Sequence, residues 1–278
     1  METDFFVFNV GLGQSVFVYP RGHHEYGMLI DVGHDGDIGF HPIDFLQNRR
    51  FVGQTLGNIT LTNYDQDHFS GLPYLRQRVH ISTIDFPRNL STADLRSMKQ
   101  RPHTDALNET CAIYDTYTTP VPLYQPPFTK HTFSLRKEDL DTPDTNNLSQ
   151  IVFIEHNGSV ICIGGDLEEK GWKILLKRQE VRDSLARTNV LVASHHGREN
   201  GYCPDLFTHC RPDCVIISDK NIVHDTQVGL ASKYGGHVPT GIALNGERRK
   251  VLTTRNDGHI WVRFAPGGQR FYATFNTN

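Results

Sequence analysis

The sequence predicts an α/β sandwich: two β-rich halves joined by helices, with helices on the outside. Three features predict it. β-branched and aromatic runs recur between glycine-containing turns. Segments with helical patterning fall between those runs. Five of the runs end in Asp or His, so one edge of the sandwich gathers polar, metal-capable side chains.

In chain order, Asp4-Phe-Phe-Val-Phe-Asn9, Ser15-Val-Phe-Val-Tyr19 and Met28-Leu-Ile-Asp-Val32 read as strands, separated by the Gly11-Leu-Gly13 and Arg21-Gly22 turns. Residues 41–52 and 72–78 read as helical, and Ser91-Thr92 caps a helix over 91–100. Residues 101–148 are rich in Pro, Thr, Asp and Asn and read as a long irregular insertion with one or two strands. A hairpin is expected around His156-Asn-Gly158, then a helix over 168–185. Val190-Leu-Val-Ala193 and Cys214-Val-Ile-Ile-Ser218 are short buried strands, residues 226–237 begin as a helix, and three strands close the chain. Neither an internal linker nor a solenoid repeat is visible, so residues 1–278 read as one domain.

Composition narrows the function classes. Mean hydropathy is −0.44, and no stretch reaches the ~20 apolar residues of a membrane helix. The acidic start Met1-Glu-Thr-Asp4 lacks a signal-peptide pattern. A soluble, cytoplasmic protein without membrane insertion is the expectation. The five cysteines include no CxxC pair and read as reduced thiols, although Cys203, Cys210 and Cys214 have a spacing that also admits zinc. A net charge of −3 exerts no global pull on nucleic acid. Fifteen histidines are many for 278 residues, as in a metal enzyme.

The densest cluster is Thr62-Asn-Tyr-Asp-Gln-Asp-His-Phe-Ser-Gly71, where Asn63, Asp65, Asp67 and His68 follow a β-like run. A strand ending in such a loop aims several O and N donors at one point. Asp31, Asp166, the pair His195-His196 and His224 also follow strands. A lone histidine at a strand end is more often a packed one; five such ends are a constellation.

Six stretches, in order and covering nearly the whole chain, resemble the metallo-β-lactamase fold and, within it, the hydrolase domain of the ComEC DNA-uptake channel proteins. They are Asn9-Val-Gly-Leu-Gly-Gln14, Leu29-Ile-Asp-Val-Gly33, residues 62–71, Asn146-Asn-Leu-Ser149 with Gly165-Asp-Leu-Glu-Glu169, Ser194-His-His-Gly197, and Thr254-Arg-Asn-Asp-Gly-His-Ile260, the last resembling the closing hairpin. The resemblance implies a four-layered αββα sandwich. It implies two divalent ions bridged by Asp166, one held by Asp67, His68 and His224, the other by Asp65 with Asn63 or a His195 nitrogen. Asp31 would be structural. Asp67 and His196 would be catalytic, Asp67 orienting the nucleophile and one of His195 and His196 acting as acid or phosphate contact. Arg198 and Lys220 are candidates for neutralising a substrate phosphate. The chain departs from the family pattern at Asn63, where that branch keeps His, and at His224, which is followed by Asp225 rather than Pro. The histidine usual between the signature loop and Asp166 has no clear counterpart among His103, His131 and His156.

Carboxylate and amide ligands harden such a site, so Mn²⁺ is expected first, with Zn²⁺ or Mg²⁺ as alternatives. Hard ions suit phosphate oxygens, and the implied activity is a phosphodiesterase or nuclease acting on DNA or RNA. Hydrolysis of a small phosphate ester or cyclic nucleotide, and a degenerate non-catalytic subunit, are the alternatives. A regulatory protein partner is a further expectation, since a free-standing nuclease is a hazard to its cell.

Overall fold

The first strand is buried on both faces, and this determines the layering. All five side chains of β1 (Thr3–Val7) are buried. Phe5 and Val7 join one apolar cluster while Phe6, with Phe8 just beyond, joins another. Alternation sends them to opposite sides of the sheet, so the sheet is covered twice. The structure, a computed structural model, describes residues 1–119, 124–220 and 229–277.

β1 forms a meander with β2 (Val16–Pro20) and β3 (Met28–Ile30). The chain then crosses through α1 (Pro42–Asn48) to β4 (Thr55–Thr60), which lies parallel to β3. A second crossover, through α2 (Gln66–Phe69) and α3 (Leu72–Arg76), leads to β5 (His80–Asp85), parallel to β4. After α4 (Thr92–Met98) and α5 (Asp105–Thr116), β6 (Thr129–Ser134), β7 (Gln150–His156) and β8 (Ser159–Ile163) open a second, antiparallel meander. Helices α6 (Glu169–Leu175) and α7 (Gln179–Ala186) lead to β9 (Thr188–Val192), parallel to β8. β10 (Cys214–Ile217) is parallel to β9. α8 (Leu230–Gly236) and a small ribbon, β11 (Ile242–Leu244) with β12 (Glu247–Arg249), precede β13 (Val251–Thr253), which pairs parallel with β10. A turn of helix, α9 (Thr254–Asp257), returns the chain to the first sheet as β14 (His259–Ala265) and β15 (Gln269–Phe275).

Among the described residues the two sheets have seven and six strands, in the orders β15-β14-β1-β2-β3-β4-β5 and β13-β10-β9-β8-β7-β6. Between them lies a core of strand residues from both sheets, including Phe5, Val18, Ile30, Ile154, Ile163, Val192, Ile216 and Val262, with no helix residue in it. Their other faces pack on helix side chains such as Leu46, Leu75, Trp172 and Leu185. The result is a four-layered αββα sandwich. Among the described residues no helix is long and apolar enough to cross a membrane.

The hairpin at Asn157-Gly158 forms as expected, both residues having positive φ, as a type I′ turn demands. The helix expected to be capped at Ser91 also forms, and Asp94 completes a capping box there. Three expectations need correction. First, residues 101–148 hold, besides the expected strand β6 and irregular stretches, α5, the longest helix described, capped by Thr104 and burying Ala106, Leu107, Thr110, Cys111 and Ile113 along one side. The Pro, Thr and Asp around it masked that periodicity. Second, residues 168–185 form two helices. In one continuous helix, at about 100° per residue, Val181, Ser184 and Leu185 would sit roughly opposite Trp172, Leu175 and Leu176. The break at 176–178 turns both buried sets to the same side. Third, residues 254–260 do not close a hairpin, because β13 and β14 belong to different sheets; the closing hairpin is β14–β15. The helix expected from 226 is described only as α8, and His224 lies outside the described residues.

Candidate metal centre

Parallel strands place their carboxyl ends at one edge, and loops leaving that edge converge. Asp31 follows β3, the Asn63–His68 loop follows β4, Asp166 follows β8 and His195-His196 follow β9. Asp67, His68, Asp166 and His196 each offer a ligand atom within 4.8 Å of the others. The first two come from one sheet and the last two from the other, so the centre ties the sandwich together at its rim.

The ring nitrogens are sorted by their partners. His68 Nδ1 donates to Asp31 Oδ2 at 2.8 Å, and His196 Nδ1 donates to the Ser218 carbonyl at 2.9 Å. Both rings therefore present the Nε2 lone pair inward, the tautomer a metal-ligating histidine needs. His68 Nε2 is 3.0 Å and His196 Nε2 3.5 Å from Asp166 Oδ1, and His196 Nε2 is 3.2 Å from Asp67 Oδ2. Despite these separations, His68 Nε2, His196 Nε2 and Asp166 Oδ1 are buried without a hydrogen-bond partner. Three orphaned acceptors facing one point are costly unless a cation sits there. Ligand atoms ~2.0–2.2 Å from a common ion would lie roughly 3–3.6 Å apart, which matches these spacings. The donor set fits a divalent metal.

The charges agree. Burial disfavours charge on His68, yet the Asp166 and Asp31 carboxylates outweigh it and raise its pKa well above the ordinary value. Burial pushes Asp67 up, but its hydrogen bond to His196 and the His68 and His196 charges hold it at about 2. Asp166 is likewise held low by His68 and His196 against complete burial. The carboxylates of Asp31, Asp67 and Asp166 thus favour positive charge on the His68 and His196 side, the charge that a bound cation would supply in place of the two protons.

Asp31 is the foundation. Fully buried, it accepts from the Thr62 amide at 2.7 Å, Thr62 Oγ1 at 2.6 Å, Gln14 Nε2 at 2.9 Å and His68 Nδ1. Asp31, His195 and His196 all adopt left-handed backbone, with φ of 59°, 50° and 53°. Such strain in non-glycine residues persists where the surroundings over-determine it. Here the His195 amide donates to the Gly165 carbonyl at 2.8 Å, and Trp172 Nε1 donates to Ser194 Oγ at 2.9 Å.

Backbones also meet under the site. A Cβ on Gly33 would lie 2.0 Å from the Asp67 carbonyl oxygen. Gly33→Ala is therefore expected to destabilise the protein by about 1–3 kcal/mol and to weaken metal binding by displacing Asp67, read by urea denaturation and metal titration. An alanine variant with unchanged midpoint and affinity would refute this.

Of the residues assigned from the sequence, the structure brings together Asp67, His68, Asp166 and His196, over Asp31. The others go elsewhere. His196, expected to be catalytic, sits among the ligand atoms. His195, expected to be a ligand, turns away: its Nε2 is 3.3 Å from Arg198 Nη1, its Nδ1 is 3.9 Å from Glu168 Oε1, and burial lowers its pKa. The consecutive left-handed residues direct the two rings differently. Asp65 accepts hydrogen bonds from Lys99 Nζ and from Thr145 Oγ1 at 2.9 Å. Asn63 turns its Oδ1 to the Tyr64 amide at 2.5 Å. Lys220 Nζ pairs with Asp35 at 2.9 Å. The cysteines are all buried free thiols, and none belongs to a metal-capable group among the described residues. Gln14, Thr62, Lys99, Thr145 and Ser218 had no assigned role. Gln14 and Thr62 adjoin the motifs and were findable, whereas Ser218 acts through its backbone and Lys99 arrives from a remote helix end.

Two facing mixed sheets, outer helices and Asp/His loops at the carboxyl ends of the strands define the metallo-β-lactamase fold, and this chain has it. No family model matches the chain. In sequence it is similar to ComE operon protein 3 of Bacillus subtilis (strain 168), 24% identical over 281 residues, a match taking in 95% of this chain and 33% of that protein. The chain thus spans about a third of the length of this ComEC-like relative. In structure it is similar to Zn(2+)-bound PqqB from Methylobacterium extorquens, with a TM-score of 0.51 and 12% identity over 98% of this chain and 99% of that one. The metallo-beta-lactamase fold protein YhfI from Bacillus subtilis aligns with a TM-score of 0.49 and 11% identity, covering 98% and 100% of the two chains.

Proposed function

We propose that this chain is a metal-dependent hydrolase of phosphodiesters, with DNA or RNA as its substrate. The observation that carries the hydrolase reading is the convergence of three orphaned buried lone pairs, on His68, His196 and Asp166, beside the Asp67 carboxylate. The nucleic-acid substrate rests on the likeness to the ComEC-like relative.

His68, His196, Asp67 and Asp166 would hold the ion. A divalent ion there supplies Lewis acidity, activating water and polarising a phosphoryl oxygen. Asp31 and the Ser218 carbonyl keep the two imidazoles in the ligating tautomer. Asp166 is deep, whereas the Asp67 side chain is 22% exposed and reaches the opening. In this reading Asp67 is the carboxylate that would orient an incoming water. Two imidazoles with two carboxylates suit Zn²⁺ as well as Mn²⁺, so the Mn²⁺ preference, which leaned on Asn63 and Asp65, loses part of its basis.

Hydrolysis of a small phosphate ester is the second reading. It is favoured by the pairing of nearby cations: Lys99 with Asp65, Lys220 with Asp35 and Arg255 with Asp219. Among these and Arg198, the predicted phosphate contacts and their neighbours, only Arg198, which reaches His195 Nε2 and no carboxylate, keeps an unpaired charge near the site, little with which to track a polynucleotide backbone.

The test is hydrolysis of single- and double-stranded DNA, RNA and bis-p-nitrophenyl phosphate with Mn²⁺, Zn²⁺ or Mg²⁺. Metal-dependent cleavage of nucleic acid, reduced at least about 100-fold in Asp67→Ala, is expected. Cleavage of the small ester alone would shift the reading to the second. No cleavage and no bound metal would sink both.

A further inference from the structure

We propose that the centre takes one divalent ion rather than two, and that the Lys99 ammonium holds the place of the second positive charge. This rests on the metal-centre reading above and specifies its stoichiometry.

Among the described residues, Asn63, Asp65 and His195 are those the resemblance assigns to a second ion beside Asp166. Asn63 and Asp65 are engaged by other groups, and His195 keeps only Nδ1 without a hydrogen-bond partner. Asp65 is contacted at both oxygens: Oδ1 by Lys99 Nζ, Oδ2 by Asn63 Nδ2 at 3.4 Å, and the single Thr145 hydroxyl proton is shared between them. The Tyr64 N–H must point at an acceptor, which settles that Asn63 turns its oxygen to the backbone and its NH₂ toward Asp65 and Asn146. An NH₂ group repels a cation. His195 Nε2 faces the Arg198 guanidinium at 3.3 Å. Two protein cations therefore stand against the would-be ligands.

Lys99 is not a loose surface side chain. It is the C-cap of α4, 20% exposed, with Asp65 28% exposed. The segment that follows is clamped to the same loop, where Thr104 Oγ1 donates to Gln66 Oε1 at 2.8 Å. A second ion would have to displace the ammonium, the Thr145 hydroxyl and the Asn63 amide together. The four atoms of Asp67, His68, Asp166 and His196 have no such competitor. Asn63 in place of histidine and Lys99 on Asp65 are two parts of one substitution: a neutral donor and a fixed ammonium where an ion and its imidazole would be.

The experiment is metal stoichiometry by elemental analysis after equilibration with Mn²⁺ or Zn²⁺, with Mn²⁺ electron paramagnetic resonance as a second readout. The wild-type chain is expected to hold one ion and show an uncoupled Mn²⁺ spectrum. Asp65→Asn should change affinity for that ion by less than about threefold, whereas Asp166→Asn should lower it by more than about 100-fold. The double variant Asn63→His with Lys99→Ala should gain a second ion and a spin-coupled spectrum. Thermal melts confirm that each variant is folded. Two ions in the wild type, or loss of metal in Asp65→Asn comparable to Asp166→Asn, would overturn the proposal and leave the hydrolase reading standing. No ion at all would overturn both.

Discussion

Asp31→Ala is expected to cost about 3–5 kcal/mol of folding free energy, the range for removing one partner of a buried charged network. The carboxylate is fully buried and holds the Thr62 amide, the Thr62 hydroxyl, the Gln14 amide and the His68 imidazole. Alanine leaves those donors without an acceptor where water does not reach. It also inherits φ of 59°, a conformation Asp tolerates better than Ala. Asp31→Asn separates the two roles. Asparagine keeps the volume and tolerates the backbone, so less stability is lost. Its neutral amide no longer favours an Nδ1–H on His68, and metal affinity should fall about 10–100-fold, as for other lost carboxylate–histidine contacts. Urea denaturation at equilibrium and metal titration read the two effects. An alanine variant with wild-type midpoint and affinity would show that Asp31 is not the support of the site.

How much of this was legible in the sequence depended on the range of the interaction. The strands, Asp31, the signature loop and Asp166 were legible because alternation, glycine turns and strand-end carboxylates are local signals. The break between α6 and α7 was also present in the chain, since the apolar sets around Trp172 and Val181 fall on opposite sides of one continuous helix; only the length of the segment argued for continuity. Helix α5 was hidden by the polar composition around it, although Thr104 caps it as helix-start rules require. The choice between His195 and His196 was not legible. Both residues are buried, both follow β9, and the decision lies in two left-handed backbone conformations, with the His195 amide held by the Gly165 carbonyl and the His196 ring by the Ser218 carbonyl. Lys99 on Asp65 was equally out of reach, for it joins residues 34 positions apart through the placement of α4.

That choice gives the second large effect. His196→Ala is expected to lower metal affinity and metal-dependent hydrolysis at least about 100-fold, and His195→Ala less than about 10-fold. His196 Nε2 sits 3.2 Å from Asp67 Oδ2 and 3.5 Å from Asp166 Oδ1, with its other nitrogen anchored on Ser218. Its loss removes a ligand atom and leaves two carboxylates facing each other with one imidazole between them. His195 instead lies between Arg198 and Glu168, so its removal alters the wall of the site and not the ligand set. Because both side chains are buried, both alanine variants leave cavities, and stability alone does not distinguish them. Metal affinity does, since only one of the two cavities replaces a ligand. His195→Gln and His196→Gln, which restore much of the volume, should preserve the contrast. If His195→Ala loses the metal and His196→Ala keeps it, the rings exchange roles when the ion binds, and the ligand set drawn from the present geometry is wrong at that position.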